Sequence, residues 1–181
     1  MVRIVANMAG MKEGLAAVLS LLLVALPSSL KAQTSSSSNV TLTAIVVQPV
    51  SITSSGGSDG AGNIDFGLVL ANNTYSINPN TSASANLYTV GAAAGMAMTV
   101  TFTSPTLSLS DGAGNTLTFT PQIVGSQSLT SQGTATSVTS GGTITMGGTG
   151  SYYMWLGGSV TVPNGQAGGT YTGTFNLTVS Y

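Results

Sequence analysis

The last eleven residues constrain the fold more than any other stretch of this chain. From Tyr171 to Tyr181 the odd positions are Tyr171, Gly173, Phe175, Leu177, Val179 and Tyr181, and the even positions are Thr172, Thr174, Asn176, Thr178 and Ser180. Successive side chains of a strand point to opposite faces, so a strict period of two makes one apolar and one polar face. The same alternation recurs at Met96, Met98, Val100 and Phe102 against Ala97, Thr99, Thr101 and Thr103. It recurs again at Leu117, Phe119 and Ile123 against Thr116, Thr118, Thr120 and Gln122, and Ile64, Phe66, Leu68 and Leu70 form a further set. Shorter strands are expected at Leu87–Val90, Leu107–Leu109, Thr143–Met146 and Val160–Val162. With no helical period after the first 32 residues, about eight to ten short strands and Gly-rich turns predict an all-β, antiparallel sandwich.

The N-terminus is different in kind. Leu15 to Leu26 (LAAVLSLLLVAL) is an apolar run behind Lys12, broken by Pro27 and followed by Lys31-Ala32-Gln33. A basic start, a short apolar core and a small residue ahead of a polar chain describe a cleavable signal peptide, residues 1–32, cut after Ala32. The run is shorter than the roughly 20 apolar residues of a membrane-spanning helix, so no membrane span is expected once it is removed. A retained N-terminal anchor is the alternative, and Met11 is an alternative start. Residues 33–39 (QTSSSSN) read as a polar lead and residues 40–181 as a single domain.

Past the leader the chain holds no Lys, Arg, His, Cys or Glu; its only acidic side chains are Asp59, Asp65 and Asp111. Removing 32 residues from 181 leaves 149, enough for one domain with a real core. With no basic residues, nucleic acid and anionic lipid are poor partners, and none is expected. The absence of cysteine leaves no disulfide framework, and with no histidine either, Cys- and His-based metal sites are excluded. Polar surface comes instead from Thr, Ser, Asn and Gly, residues of strands and turns rather than of disordered, highly charged chains.

General acid–base and nucleophilic catalysis draw on groups that are mostly missing, and no serine has a base beside it in sequence. We therefore expect no enzyme activity, no catalytic residues and no cofactor. One pentapeptide, Asp-Gly-Ala-Gly-Asn, occurs twice, at 59–63 and 111–115, each time after a serine. Its oxygens, with Asp65 added to the first copy, suit a calcium loop. Asp-Gly also supplies the positive φ of a tight turn, and turns are the preferred reading, with no metal expected.

Two stretches are apolar on both faces. In Tyr152–Leu156 (YYMWL), Tyr153 and the sole tryptophan, Trp155, share one face. They offer a stacking platform for a glycan, a protein–protein patch, or a central strand whose second face is covered by a loop. Ala44–Val47 continues the alternation of Val40 and Leu42 up to Pro49, after which Val50 and Ile52 resume the parity. Proline within a strand marks an edge, and an apolar edge strand is a template for pairing with another chain. Val40, Leu42, Ala44 and Val46 are thus candidate subunit contacts, unless the stretch is a first strand buried in its own domain. Tyr153 and Trp155 are the second candidate interface. Phe175, Leu177, Val179 and Tyr181 are expected to form a core strand.

The order of motifs carries a resemblance. Val40–Ile52 (VTLTAIVVQPVSI) is followed by Ile64-Asp65-Phe66-Gly67, then by Leu156–Val162 (LGGSVTV), then by Gly169–Phe175 (GTYTGTF) and the ending Val179-Ser180-Tyr181. This order resembles the secreted bacterial family known as domain of unknown function 4402 and, more distantly, spore coat protein U and the chaperone–usher pilins. The resemblance spans nearly the whole chain after the leader. It implies an immunoglobulin-like β-sandwich exported to the cell surface or exterior of a Gram-negative-type bacterium. It also implies a pilus or filament subunit whose partners are copies of itself and a periplasmic chaperone or secretion machinery. Pilins join by donor strands, in which one subunit's strand completes the next one's sheet. This chain departs from them in lacking cysteines and in having only a polar lead before Val40, so that Val40–Val47 itself would be the donated strand if one is donated. The alternative function is a secreted carbohydrate-binding or adhesive module using Tyr153 and Trp155.

Overall fold

The computed structural model describes residues 49–58 and 60–181. The leader, the polar lead, Asp59 and the candidate contacts Val40, Leu42, Ala44 and Val46 lie outside the described residues. The described chain is a two-sheet β-sandwich, as the alternation predicts.

Two long strands, β7 (Thr116–Ser126) and β10 (Ser151–Val162), form the spine of the larger sheet. They pair antiparallel from Tyr153↔Ser126 to Thr161↔Thr118. On the far side of β10, β4 (Asn86–Gly91) pairs with its first half and β3 (Asn73–Ile77) with its second. On the far side of β7, β6 (Leu107–Ser110) takes the first half and β8 (Thr136–Val138) the second. β1 (Ser51–Gly57) and the short β2 (Ala61–Asn63) extend the sheet beyond β4. The smaller sheet has the order β11–β5–β9, from β11 (Leu177–Ser180), β5 (Ala97–Phe102) and β9 (Gly142–Thr145).

The main core lies between the sheets. Met98, Val100, Ile144 and Val179 of the smaller sheet pack with Val90, Ile123, Met154 and Leu156 of the larger. Three strands cannot roof eight, and the rest of the inner face is closed by coil. Leu117, Phe119, Val160 and Val162 are covered by Phe66, Val69 and Tyr171 with their neighbours, with Phe66 edge-on to Phe119 at 5.9 Å. Burying such side chains stabilises by about 1.5–3 kcal/mol each.

Two expected strands come out differently. Residues 64–70 are coil. Ile64 and Phe66 face the core, but Leu68 is 92% exposed and Val69 turns inward instead. The cause is Gly67, at φ 65°, whose N–H donates to Asp65 Oδ1 (2.8 Å). This Asx turn flips the parity of the chain. The C-terminal stretch keeps its alternation yet forms a ladder only over Leu177–Ser180. Thr172 bridges Ser110 of the larger sheet, whereas Leu177–Ser180 pair with β5 of the smaller. Residues 173–176 cross between the sheets outside any ladder, and the Asn176 carbonyl accepts from the N–H of Thr103 (3.2 Å) just ahead of the pairing with β5. Of the four residues expected in a core strand, Val179 is buried, Leu177 is half-buried within the ladder, Phe175 is half-buried outside it, and Tyr181 lies beyond the last pair and is 78% exposed, outside the core.

Candidate interaction surfaces

β10 presents its even residues inward, and its odd residues Tyr153, Trp155, Gly157, Ser159 and Thr161 line the outer face of the larger sheet. Trp155 is only 4% exposed, clustered with Ile77, Ala85 and Val124. Its cover is a pair of polar segments. The loop from Asn78 to Ala85 leaves β3, crosses β10 and returns to β4, and the 3-10 turn Leu129–Thr134 lies against β7 and β10. The two are clamped by amides. Asn80 Nδ2 donates to the carbonyls of Gln132 and Ala135 (both 3.0 Å), and Gln132 Nε2 donates to those of Pro79 (2.9 Å) and Ser82 (3.1 Å).

The crossing depends on Gly157. A Cβ there would collide with the carbonyl oxygen of Ile77 and lie 2.9 Å from the nitrogen of Pro79. Only a residue without a side chain lets the loop backbone lie directly on the strand. The platform and patch readings of Trp155 are thereby corrected: its ring is inside, under a loop. Tyr153, on the same face, is half-buried beside it. Polar loop residues gave no sequence signal that they would cover a tryptophan.

Beyond Gly157 the outer face is open. Ser108, Thr118, Thr161 and Thr74 lie in one row across four strands. Thr120, Ser159 and Ser76 form a second row, and Ser110 and Thr116 a third. Every position is Ser or Thr, and all but the half-buried Ser159 are exposed. Strands are about 4.8 Å apart and alternate residues about 6.7 Å apart along a strand. Adjacent hydroxyls within a row can touch, as Thr74 Oγ1 and Thr161 Oγ1 do at 3.0 Å. The smaller sheet repeats the pattern outward with Thr99 paired to Thr143 and to Ser180, and Thr101 to Thr178.

β11 is the third surface. It is the outer strand of the smaller sheet, and among the described residues its second edge carries no ladder. Phe175, Leu177 and Phe102 beside it are only half-buried, with the two phenyl rings 5.8 Å apart. On the opposite edge Ile144 of β9 is buried. Val50, the second of the described residues, packs against the same cluster as Val179.

The second Asp-Gly-Ala-Gly-Asn copy is a self-contained turn. Asp111 Oδ1 accepts from the N–H groups of Ala113 (2.8 Å) and Asn115 (3.0 Å), and Oδ2 from Asn115 Nδ2 (2.6 Å). The Asn115 side chain, with the backbone donors, holds the Asp111 carboxyl below its ordinary pKa. With both oxygens engaged inside the loop, the carboxylate is used to shape a turn. Among the described residues no three acidic side chains gather. Burial raises the pKa of the Tyr88 hydroxyl, opposed by the Asn86 side chain, and burial raises that of Tyr152.

No known protein family matches this sequence, and a search of curated proteins finds no match either.

Proposed function

We propose that this chain is a non-catalytic, exported structural protein, a subunit of a surface or filament assembly that joins its copies by β-strand pairing. The observation that carries the reading is the edge of β11. An outer strand whose second edge carries no ladder among the described residues, above a half-covered apolar cluster, is a template for an added strand. The eight residues Val40–Val47 have the alternation such a strand needs, and Val50, a few residues further along the chain, packs against the same core cluster as Phe175 and Leu177. The order of motifs, which resembles that of domain of unknown function 4402 and of pilins, supports the same reading, as does the signal-like N-terminus. A surface without basic groups supports it too, because it offers little like-charge repulsion between copies. Copies of the same chain are the principal partner, and an export chaperone or secretion machinery is the second.

The test is sedimentation and negative-stain microscopy of the secreted chain, the same chain lacking residues 33–47, and Thr178→Lys/Ser180→Lys. The intact chain assembles; the truncated chain and the edge variant do not. An intact chain that stays monomeric, or a truncated chain that still assembles, contradicts the reading.

A further inference from the structure

Where the Asn78–Pro79 backbone steps down onto the open half of the larger sheet, it leaves a cleft of about 360 Å³. We propose that this cleft is a binding site for a neutral saccharide, one or two hexose units of an uncharged glycan. The site is separate from the β11 edge and does not depend on strand pairing.

The chemistry of the lining selects the ligand. Ser76, Asn78, Thr120, Gln122 and Ser159 surround the cleft, and Pro121 adds an apolar wall. None of these is ionisable, so neither a phosphate, an acidic sugar nor a cation finds an opposite charge. Hydroxyls and planar amides both donate and accept, which matches the vicinal hydroxyls of a sugar ring. Among the described residues, the side chains of Ser76, Thr120, Gln122 and Ser159 bond to no other group of the protein. Asn78 uses its Oδ1 on the N–H of Asn80 (2.9 Å), leaving its amide donors for a ligand.

The backbone around the cleft is tied down. Its floor is the central β7–β10 pair and β3, and its wall is the loop that Asn80 and Gln132 clamp to the 3-10 turn. A floor and wall already in place need no rearrangement when a ligand arrives. The volume lies near the lower end of small-molecule sites, about 300–1,000 Å³. From the cleft, the row of Thr118, Thr161 and Thr74 continues the hydroxyl surface for a longer chain. This location differs from the buried Trp155, and it binds by hydrogen bonding rather than by ring stacking.

The test is an amide-resolved NMR titration of the secreted chain with maltotetraose, cellotetraose and mannotetraose, and with tetragalacturonate as the charged control. At least one neutral tetrasaccharide shifts the signals of Asn78, Gln122 and Ser159 saturably. Gln122→Ala and Thr120→Val, both at exposed positions, each weaken that binding about fivefold, the scale of one lost hydrogen bond. Thr99→Ala, on the other sheet, leaves it unchanged. The proposal is overturned if no neutral tetrasaccharide shifts these signals or the shifts fall elsewhere. It is also overturned if tetragalacturonate binds as tightly, or if both cleft variants bind like the parent.

Discussion

The outer face of the larger sheet has two halves built on the same pair of strands, β7 and β10. One half buries Trp155 and Val124 under a loop and a 3-10 turn; the other exposes three rows of hydroxyls. The division falls at Gly157, where the loop backbone lies on the strand. Below that point Tyr153, Trp155 and Val124 point outward and need a cover; above it the outward residues are Ser and Thr and need none. The contrast separates two uses of low charge. In the covered half, neutral polar groups satisfy backbone carbonyls over an apolar ring. In the open half, Ser and Thr hydroxyls face solvent, with Thr74 and Thr161 bonded to each other.

Substitutions that erase the contrast rank by size. Trp155→Ala empties the covered half and costs about 3–5 kcal/mol by chemical denaturation; a loss as small as that of a surface residue would mean that the ring is not enclosed. Gly157→Ala forces the loop off the strand and costs about 1–3 kcal/mol, read in the same experiment. It also raises tryptophan fluorescence quenching by acrylamide, whereas an unchanged quenching constant would remove Gly157 as the divide. Asn80→Ala and Gln132→Ala each delete two hydrogen bonds of the clamp, for about 1–3 kcal/mol. Because they act on one clamp, the double variant should lose less than the sum of the singles. Additive losses would split the cover into independent parts. On the open half, Thr118→Val and Thr161→Val change stability by no more than about 0.5 kcal/mol. A larger loss there would make the hydroxyl rows part of the scaffold.

Much of this division was legible in the sequence, but not all. Alternation gave the strands and the facing of Thr116, Thr118 and Thr120, because a strand side chain has only two directions. The apolar run Tyr152–Leu156 gave a strand with two buried faces, and a covering loop was among its readings. What covers it was not legible: Pro79, Asn80 and Gln132 are ordinary loop residues until the fold brings residues 80 and 132 together. Nor was register legible, and register is what turns separate Thr-x-Thr stretches into rows across four strands. The strand expected at 64–70 failed at one residue, Gly67, where an Asx turn overrode a period that Leu68 and Leu70 still display. The strand expected at 171–181 kept its facing but lost its ladder, since it changes sheets midway.

The role proposed for the smaller sheet can be tested at the amides themselves. Hydrogen exchange at Leu177–Ser180 should be compared between assembled material and the chain lacking residues 33–47. Strand pairing predicts that the β11 amides not bonded to β5 are protected in the assembly and exchange freely in the truncated chain. Equal exchange rates in the two states, in material that does assemble, would contradict pairing at this edge.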